Sequence, residues 1–477
     1  MSGFPLLTAI LLIPICGILV MACLPREANK TIKLVAATAM SIALLLSAYA
    51  YWAYDFSLGG MQYTENIAWI PDLGVNYALG VDGISLPLLF LTMLVGVAAV
   101  FVSWNLDRRP KEFFILLLIL LTGVAGTFIT RDLFIFLLFY ELVVIPIYIM
   151  VIIWGSSKRV TKEYAGMKLT IYLLLGSAFM LVGVMAVYLN AYPPGLRTFS
   201  MEALAQAHRL GHLSENFQIF AFFLLLLGFG SLLSMWPFHS WSPDGYAGAP
   251  TAVSMIHAGV LKKIGGFIAL VQKDLKYVIG YSSVSHMGYV LIGLAALNVI
   301  SINGAIANMF AHGVMSALFF AMIGHVYEKT HTRHIPDLGG LAHQMPRIAT
   351  GFMLAGMASL GLPGLIGFIP EFTIFVGTFP AYPWQAVLAI SGIVFTALYI
   401  LRVLANVLFG PRRTEFDNCP DARGVELVPL ILLGTVLVVF GIFPQILMGM
   451  VNSGVESMVP ILEELHTAPS MLGGVFK

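Results

Sequence analysis

Runs of eighteen or more apolar residues recur along almost the whole chain, each long enough to cross the ~30 Å hydrocarbon core of a bilayer as a helix. No water bonds free N–H and C=O groups at that depth, so spanning segments are helices or closed barrels, and continuous apolar runs of this length select helices. They fall at roughly 4–23, 32–53, 84–105, 113–130, 133–154, 167–190, 217–236, 252–271, 277–298, 302–324, 348–366, 368–379, 385–409 and 426–451. Of 477 residues, 59% are hydrophobic and only 10% charged, where a soluble domain has about a quarter charged. The sizeable polar connections are Asp55–Asp82, Ala191–Phe217, Tyr327–Arg347 and Gly410–Glu426, so residues 1–477 read as a single polytopic membrane domain surrounded by lipid. The first run, Phe4–Cys23, has no basic segment before it and no small-residue cleavage site behind it, and is expected to be a retained span. A net charge of +1 argues against a nucleic-acid partner. Cys16, Cys23 and Cys419 have neither paired spacing nor a nearby ligand set, so no metal site is signalled. "GFGSLL" and "GLPGLIGF" follow no strand, which excludes a dinucleotide loop.

Basic residues orient the spans. Arg26, Lys30 and Lys33 follow the first run, Arg108, Arg109 and Lys111 the third, and Lys158, Arg159 and Lys162 the fifth. The connection with Asp55, Glu65, Asp72 and Asp82 holds no basic residue, so it and the N-terminus face outward. Parity then fails: three runs separate Lys162 from the next basic cluster, "QKDLK" at Gln272–Lys276, and a return to the same side needs an even number. Either "WPFHSWSPDGYAGAP" (Trp236–Pro250) hides a re-entrant half-crossing, or a span is missing near Gly265–Val271. Two apolar regions are interrupted, one by Pro237, Pro243 and Pro250, the other by Gly361, Pro363, Gly364, Gly367 and Pro370. Paired interruptions point to a transport path, single ones to ordinary proline kinks.

Ionisable residues stand at membrane depth. Glu141, in "FLLFYELVVIPIYIM", lies about eight residues into its span, too deep for a short side chain to reach water. It reads as a proton acceptor, burial favouring its neutral form, or as interhelical glue. Lys262 and Lys263 lie mid-segment in "SMIHAGVLKKIGGF", about 100° apart on a helix. Lys263 shares a face with Ile256, Val260 and Phe267, and Lys262 shares one with Ala258 and Gly266. They read as reversible proton carriers or as members of structural ion pairs. Glu371, in "GFIPEFTIF", follows the second interruption, where a half-helix N-terminus stabilises charge, or it caps that half-helix. His286 shares its face with Ser282 and Tyr289, and His312 with Asn308 and Ser316, giving polar stripes suited to proton shuttling or to packing.

These residues sit in motifs that resemble the antiporter-like membrane subunits of respiratory complex I (NADH:quinone oxidoreductase), most closely the M-type chain. The motifs are "FYELVVIPIY", "MKLTIYLLLGS", "MWPFHSWSPD", "APTAVSMIHAGVLKK", "QKDLKYVIGYSSVSHMGY", "NMFAHGVMSALFF", "HTRHIPDLGGL" and "GLPGLIGFIPEF". The resemblance implies an all-α integral membrane protein of about thirteen to fourteen transmembrane helices. It also implies two inverted five-helix repeats, near 113–271 and 272–410, each with a broken helix, and a C-terminal helix and tail at 426–477. It makes Glu141 the input-side glutamate, Lys263 the central lysine, Glu371 the exit-side glutamate, and His286 and His312 central-axis relays. Lys168 resembles a lysine near the input path, and Lys262 is a weaker member of the set. No redox centre is expected in this chain; FMN, iron–sulfur clusters and quinone belong to partner subunits. The partners implied are neighbouring antiporter-like subunits in a bacterial inner membrane, the whole assembly acting as a proton-translocating NADH:quinone oxidoreductase.

Two departures stand out. Leu232, in "SLLSMWPFH", occupies the place of a lysine that normally partners the input glutamate. "GVLKKIGGF" runs almost directly into "IALVQKDLK", where the family has enough further residues for most of another helix. The rival readings are a subunit of a multi-subunit cation/proton antiporter or membrane-bound hydrogenase, a non-pumping scaffold subunit, and a stand-alone transporter.

Overall fold

The computed structural model of the chain describes residues 4–158, 160–235, 237–260 and 269–460. Its helices are α1 (Leu6–Cys23), α2 (Asn29–Trp52), α3 (Ser85–Val102), α4 (Pro110–Ile129), α5 (Leu133–Trp154), α6 (Lys162–Ala191), α7 (Met201–Arg209), α8 (Glu215–Leu232) and α9 (Trp241–Gly248). There follow α10 (Thr251–Val260), α11 (Leu275–Ala295), α12 (Val299–Thr330), α13 (Pro346–Ser359), α14 (Phe368–Thr378), α15 (Pro383–Val407), α16 (Val428–Ile442) and α17 (Gln445–Glu456). Eleven of these, all but α7, α9, α10, α13, α14 and α17, are long and apolar enough to cross a membrane among the described residues, α16 together with the 3-10 turn Gly424–Leu427 that precedes it.

Helix α12 is the pillar of the bundle. It runs 32 residues, with 94% of its most apolar window buried, and packs against α3, α10, α11, α13, α14, α16 and α17. Small residues let its neighbours close in. A Cβ at Gly304 would lie 2.6 Å from the Ile374 nitrogen, so α12 meets α14 backbone to backbone three residues beyond Glu371. Side-chain caps set where the site helices begin. Asp132 accepts from Phe134 N at 2.9 Å and starts α5; Asp274 accepts from Lys276 N at 2.9 Å and starts α11; Asn298 accepts from Ser301 N at 3.0 Å and starts α12. Each supplies an acceptor to the otherwise orphaned N–H groups of a first turn.

Both interruptions are present. α8 gives way at Leu233–Ser240 to α9, and α13 gives way at Leu360–Gly367 to α14. At the second, Gly361 and Gly364 adopt φ of 69° and 90°. Ile366 N donates to Leu437 O at 3.2 Å and Leu362 N to Met357 O at 3.2 Å, so neighbouring protein satisfies the freed backbone.

The two ends of the bundle separate by charge. Lys329–Glu426 (2.6 Å), Lys111 on Leu24 O (2.7 Å) and Trp154 on Arg108 O (2.6 Å) gather the basic connections at one end, cytoplasmic by the charge rule. At the other end an antiparallel hairpin, β1 (Gln62–Ile70) and β2 (Val75–Val81), pairs Gln62 with Val81 and Ile70 with Val75. That hairpin departs from the all-helical expectation: "QYTENIAWI" and "VNYALGV" stand inside what reads as one polar connection.

The parity question is answered by three contacts. Ser156 N donates to Gly248 O at 2.8 Å, Lys276 Nζ to Ala249 O at 2.7 Å, and Arg333 Nη1 to Ala247 O at 2.8 Å, so residues 156, 247–249, 276 and 333 share the cytoplasmic end. The chain therefore goes out along α6 and returns along α8 and α9, which together make one interrupted crossing rather than a re-entrant loop. The stretch 249–276 starts and finishes at the same end and adds no net crossing. The expected span 252–271 is thus corrected: it is apolar and long enough by length alone, yet its ends are pinned together. With α13 and α14 counted as one interrupted crossing, eleven long helices become twelve crossings among the described residues, against the thirteen to fourteen expected.

Candidate functional site

The second interruption brings three expected residues together. Glu371 lies in the first turn of α14 and is 4% exposed; His286, midway along α11, is 1% exposed. Glu371 Oε1 is 2.8 Å from His286 Nδ1, and His286 Nε2 is 3.1 Å from Ser359 Oγ, at the end of α13. The His312 ring, on α12, lies 5.4 Å from that of His286. His312 Nε2 is 2.7 Å from Ser316 Oγ and 3.0 Å from Ser283 Oγ, one turn of α11 below His286. Tyr399, buried on α15, donates to Ser282 Oγ at 2.8 Å. One break in an apolar helix, two imidazoles and a carboxyl thus form one polar seam through the centre of the second half.

The seam is direction-neutral. With Glu371 ionised, Nδ1 carries hydrogen and donates to Oε1, leaving Nε2 to accept from the Ser359 hydroxyl. With Glu371 protonated, its O–H donates to Nδ1, and Nε2–H donates to Ser359. One proton taken up on the Ser359 side, with a transfer along each of the two bonds, converts the first state into the second without moving a heavy atom. A buried polar atom continues the path: among the described residues Asn308 Oδ1 has no hydrogen-bond partner. Groups of that kind are ordinarily satisfied by internal water.

The first half is arranged differently. Glu141 sits half-buried on α5, flanked by exposed Leu138, Leu142 and Ile145, and its carboxyl makes no hydrogen bond or ion pair among the described residues. Leu232, at the end of α8, is buried. Phe136 and Phe229 pair at 6.1 Å, fixing the depth at which α5 meets α8. Glu141 and Leu232 lie five and three residues further inward, about 7.5 and 4.5 Å at ~1.5 Å per residue, so they stand at similar depth. Lys168 pairs instead with Asp244 of α9 at 2.7 Å, and Tyr277 donates to the other oxygen of Asp244 at 2.8 Å. Lys262 and Lys263 lie outside the described residues.

Four charged residues escaped the reading of motifs: Asp244, Asp274, Lys276 and Arg333. Arg333 Nε meets Asp274 Oδ2 at 2.6 Å in the interior. The signal available was an aspartate inside an interrupted apolar region ("SPDGY") and a lysine at the edge of a span ("QKDLK"), the latter read as a connection charge. No group of three or more His, Cys, Asp or Glu suited to a metal ion exists among the described residues.

Comparison with known proteins gives this geometry a family. Residues 130–270 and 264–396 match the family described as NADH:quinone oxidoreductase/Mrp antiporter, TM. The NAD(P)H-quinone oxidoreductase chain 4 1 of Synechococcus elongatus is 34% identical over 485 aligned residues, covering 93% of this chain and 89% of that one. The chain belongs to the NADH:quinone oxidoreductase/Mrp antiporter family. A further relative, the F(420)H(2) dehydrogenase subunit M of Methanosarcina mazei, is also 34% identical, covering 88% of this chain and 92% of its own. Among solved structures, a chain of respiratory complex I from Thermus thermophilus superposes with a TM-score of 0.85 at 24% identity, covering 96% of this chain and 99% of that one. A chain of the Mrp complex from Dietzia sp. gives 0.81 at 20% identity, covering 97% and 99%. The fold is that of an antiporter-like subunit, and this member of the family is a multi-pass membrane protein.

Proposed function

We propose that the chain is the M-type, proton-translocating membrane subunit of an NADH:quinone oxidoreductase-type complex in a bacterial plasma membrane. It stands beside other antiporter-like subunits and holds no electron carrier; flavin, iron–sulfur clusters and quinone belong to its partners. Relatives of equal identity carry names with different electron donors, so the donor is set by those partners. The observation that carries the proposal is the 2.8 Å contact between Glu371 and His286 at the mouth of an interrupted helix. A buried carboxyl and imidazole so placed exchange a proton with no rearrangement, and Ser359, His312, Ser283 and Ser316 extend the path. A charge change delivered by a neighbouring subunit drives the proton from the histidines to Glu371 and out.

The test is Glu371→Gln, assayed in inverted membrane vesicles by dye-reported acidification together with quinone reduction. The amide keeps an acceptor for Nδ1–H but takes up no proton. Acidification per electron falls while the complex still assembles; unchanged acidification refutes the proposal.

One observation favours a second reading for the first half alone. Glu141 faces the chain's surface without a partner among the described residues, and Leu232 fills the place of a lysine. On this reading the first half is scaffold, and Glu141→Gln leaves acidification intact where Glu371→Gln does not.

A further inference from the structure

Two cations close the inner end of the first broken helix. Lys276 is 4% exposed and donates from Nζ to Ala249 O at 2.7 Å. Arg333, also 4% exposed, donates from Nη1 to Ala247 O at 2.8 Å and from Nε to Asp274 at 2.6 Å. Gly248 O, between these carbonyls, accepts from Ser156 N at 2.8 Å. The negative end of the α9 dipole thus meets positive charge, as helix ends favour. Two buried cations nevertheless face a single buried carboxylate, and the proton-relay function proposed above makes no use of either.

We infer that Lys276 is a proton-uptake residue, loading the His312–His286–Glu371 seam directly from the cytoplasmic end and independently of Glu141. The inference rests on the proton-translocation reading. Of the cluster's members, Arg333 stays charged throughout. Asp274 is held by Arg333 and by two backbone N–H groups of α11. Of the two cations, Lys276 alone donates from its side chain to a neutral carbonyl and to no carboxylate. An ammonium and an amine each have a hydrogen for Ala249 O, so Lys276 changes charge without losing its anchor.

Access and exit are both built. A polar cavity of about 650 Å³ opens at the cytoplasmic end, lined by Lys158, Gln272, Lys273, His331, Thr332 and His334, with Asp274 and Arg333 on its wall. Solvent therefore reaches the pair that neighbours Lys276. Inward, Lys276, Gly280 and Ser283 stand at i, i+4 and i+7, one face of α11. Ser283 bonds His312, about 10 Å along the axis from Lys276 at ~1.5 Å per residue, a distance that internal water bridges. A hydronium in the cavity gives its proton to the amine; the ammonium passes it inward to His312, and the amine is restored.

The decisive variant is Lys276→Arg in the assembled complex. Arginine preserves charge and cap but releases no proton. Assembly and quinone reduction persist, and acidification falls about a hundredfold, the low side of what a lost proton-transfer group costs. Lys276→Met does the same. Wild-type acidification in assembled Lys276→Arg overturns the inference and leaves Lys276 a structural cap. Should neither variant assemble, Lys273→Cys, an exposed position on the cavity, is alkylated with a bulky maleimide in the intact complex. Acidification lost on labelling, relative to the unlabelled variant and to the labelled native chain, supports the inlet; full labelling without loss overturns it. Glu371→Gln separates the two layers: if it pumps normally the underlying reading fails, and if it alone stops pumping only the inlet fails.

Discussion

Replacing His286 tests whether the seam is a relay or only glue. His286→Ala removes the partner of two buried groups, Glu371 Oε1 at 2.8 Å and Ser359 Oγ at 3.1 Å. Orphaning a buried polar group costs about 1–3 kcal/mol, more for a charged one. The ring also loses its contacts with His312 at 5.4 Å and edge-on with Tyr289 at 5.8 Å, worth about 0.5–1.5 kcal/mol a pair. The sum is about 3–9 kcal/mol, its lower part overlapping the ~3–5 kcal/mol for breaking a buried pair from one side. His286→Asn is the comparison. Its amide N–H replaces the Nδ1 donor to Glu371 and leaves Ser359 alone unserved, so it is spared one orphaned group, about 1–3 kcal/mol, relative to alanine. Neither variant carries a proton. Thermal denaturation of the purified complex separates the two, with alanine well below asparagine, while vesicle acidification is lost in both. If His286→Asn assembles and acidifies at the native rate, the imidazole is packing and the relay argument is wrong. A cycle with Glu371→Gln gives a coupling above about 1 kcal/mol if the pair acts as a unit.

Three further outcomes follow. Gly304→Ala pushes a methyl to 2.6 Å from Ile374 N and so drives α14, with Glu371, away from α12; overpacking of this kind costs about 1–3 kcal/mol, and acidification falls more than assembly. Leu232→Lys sets a cation at the depth of Glu141, and ion-pair formation is read as acidification that becomes sensitive to Glu141→Gln; no change in that sensitivity shows that the two positions do not face each other. Asp132, on the outer side, has its carboxyl pushed up by burial, against the pull of the Asn76, Ile135 and Phe134 N–H groups. The folded state then holds this proton more tightly than the unfolded chain, so stability falls as pH rises from the ordinary carboxylate range through the raised value. Asp132→Asn flattens that slope, whereas Asp132→Ala removes the α5 cap at about 1–2 kcal/mol; equal slopes in native and Asn chains contradict the assignment.

What could be read from residues alone was whatever depends on a single segment. Apolar length located the spans, and a histidine or glutamate inside such a run stood out because lipid makes it expensive. Partnerships across the chain were hidden. His286 and Glu371 are 85 residues apart, Lys168 and Asp244 76, and Asp274 and Arg333 59, and nothing local encodes those meetings. Lys276 was counted among basic connection charges because the orientation rule registers charge and not the direction of a side chain. The run 252–271 was sized by hydropathy, which measures length and apolarity but not that Ala249 and Lys276 touch. The outer hairpin was lost for the same reason: polar alternation within a connection shows only when the strands pair.

The two broken helices use opposite ends of the same physics. α9 directs its C-terminal carbonyls at Lys276 and Arg333, while α14 places Glu371 in its N-terminal turn, beneath the left-handed glycines 361 and 364. A charge beside a helix end is worth about 0.3–2 kcal/mol, more than thermal energy at the favourable end. Emptying the lysine weakens the anchor of one half-helix; filling the carboxyl weakens that of the other. Both half-helices pack against α11, which also carries Ser283 and His286. On the proposed path, passing a proton from Lys276 to Glu371 therefore weakens both anchors, and each is restored by a separate step, the first when Lys276 is reloaded from the cytoplasmic end and the second when Glu371 discharges outward.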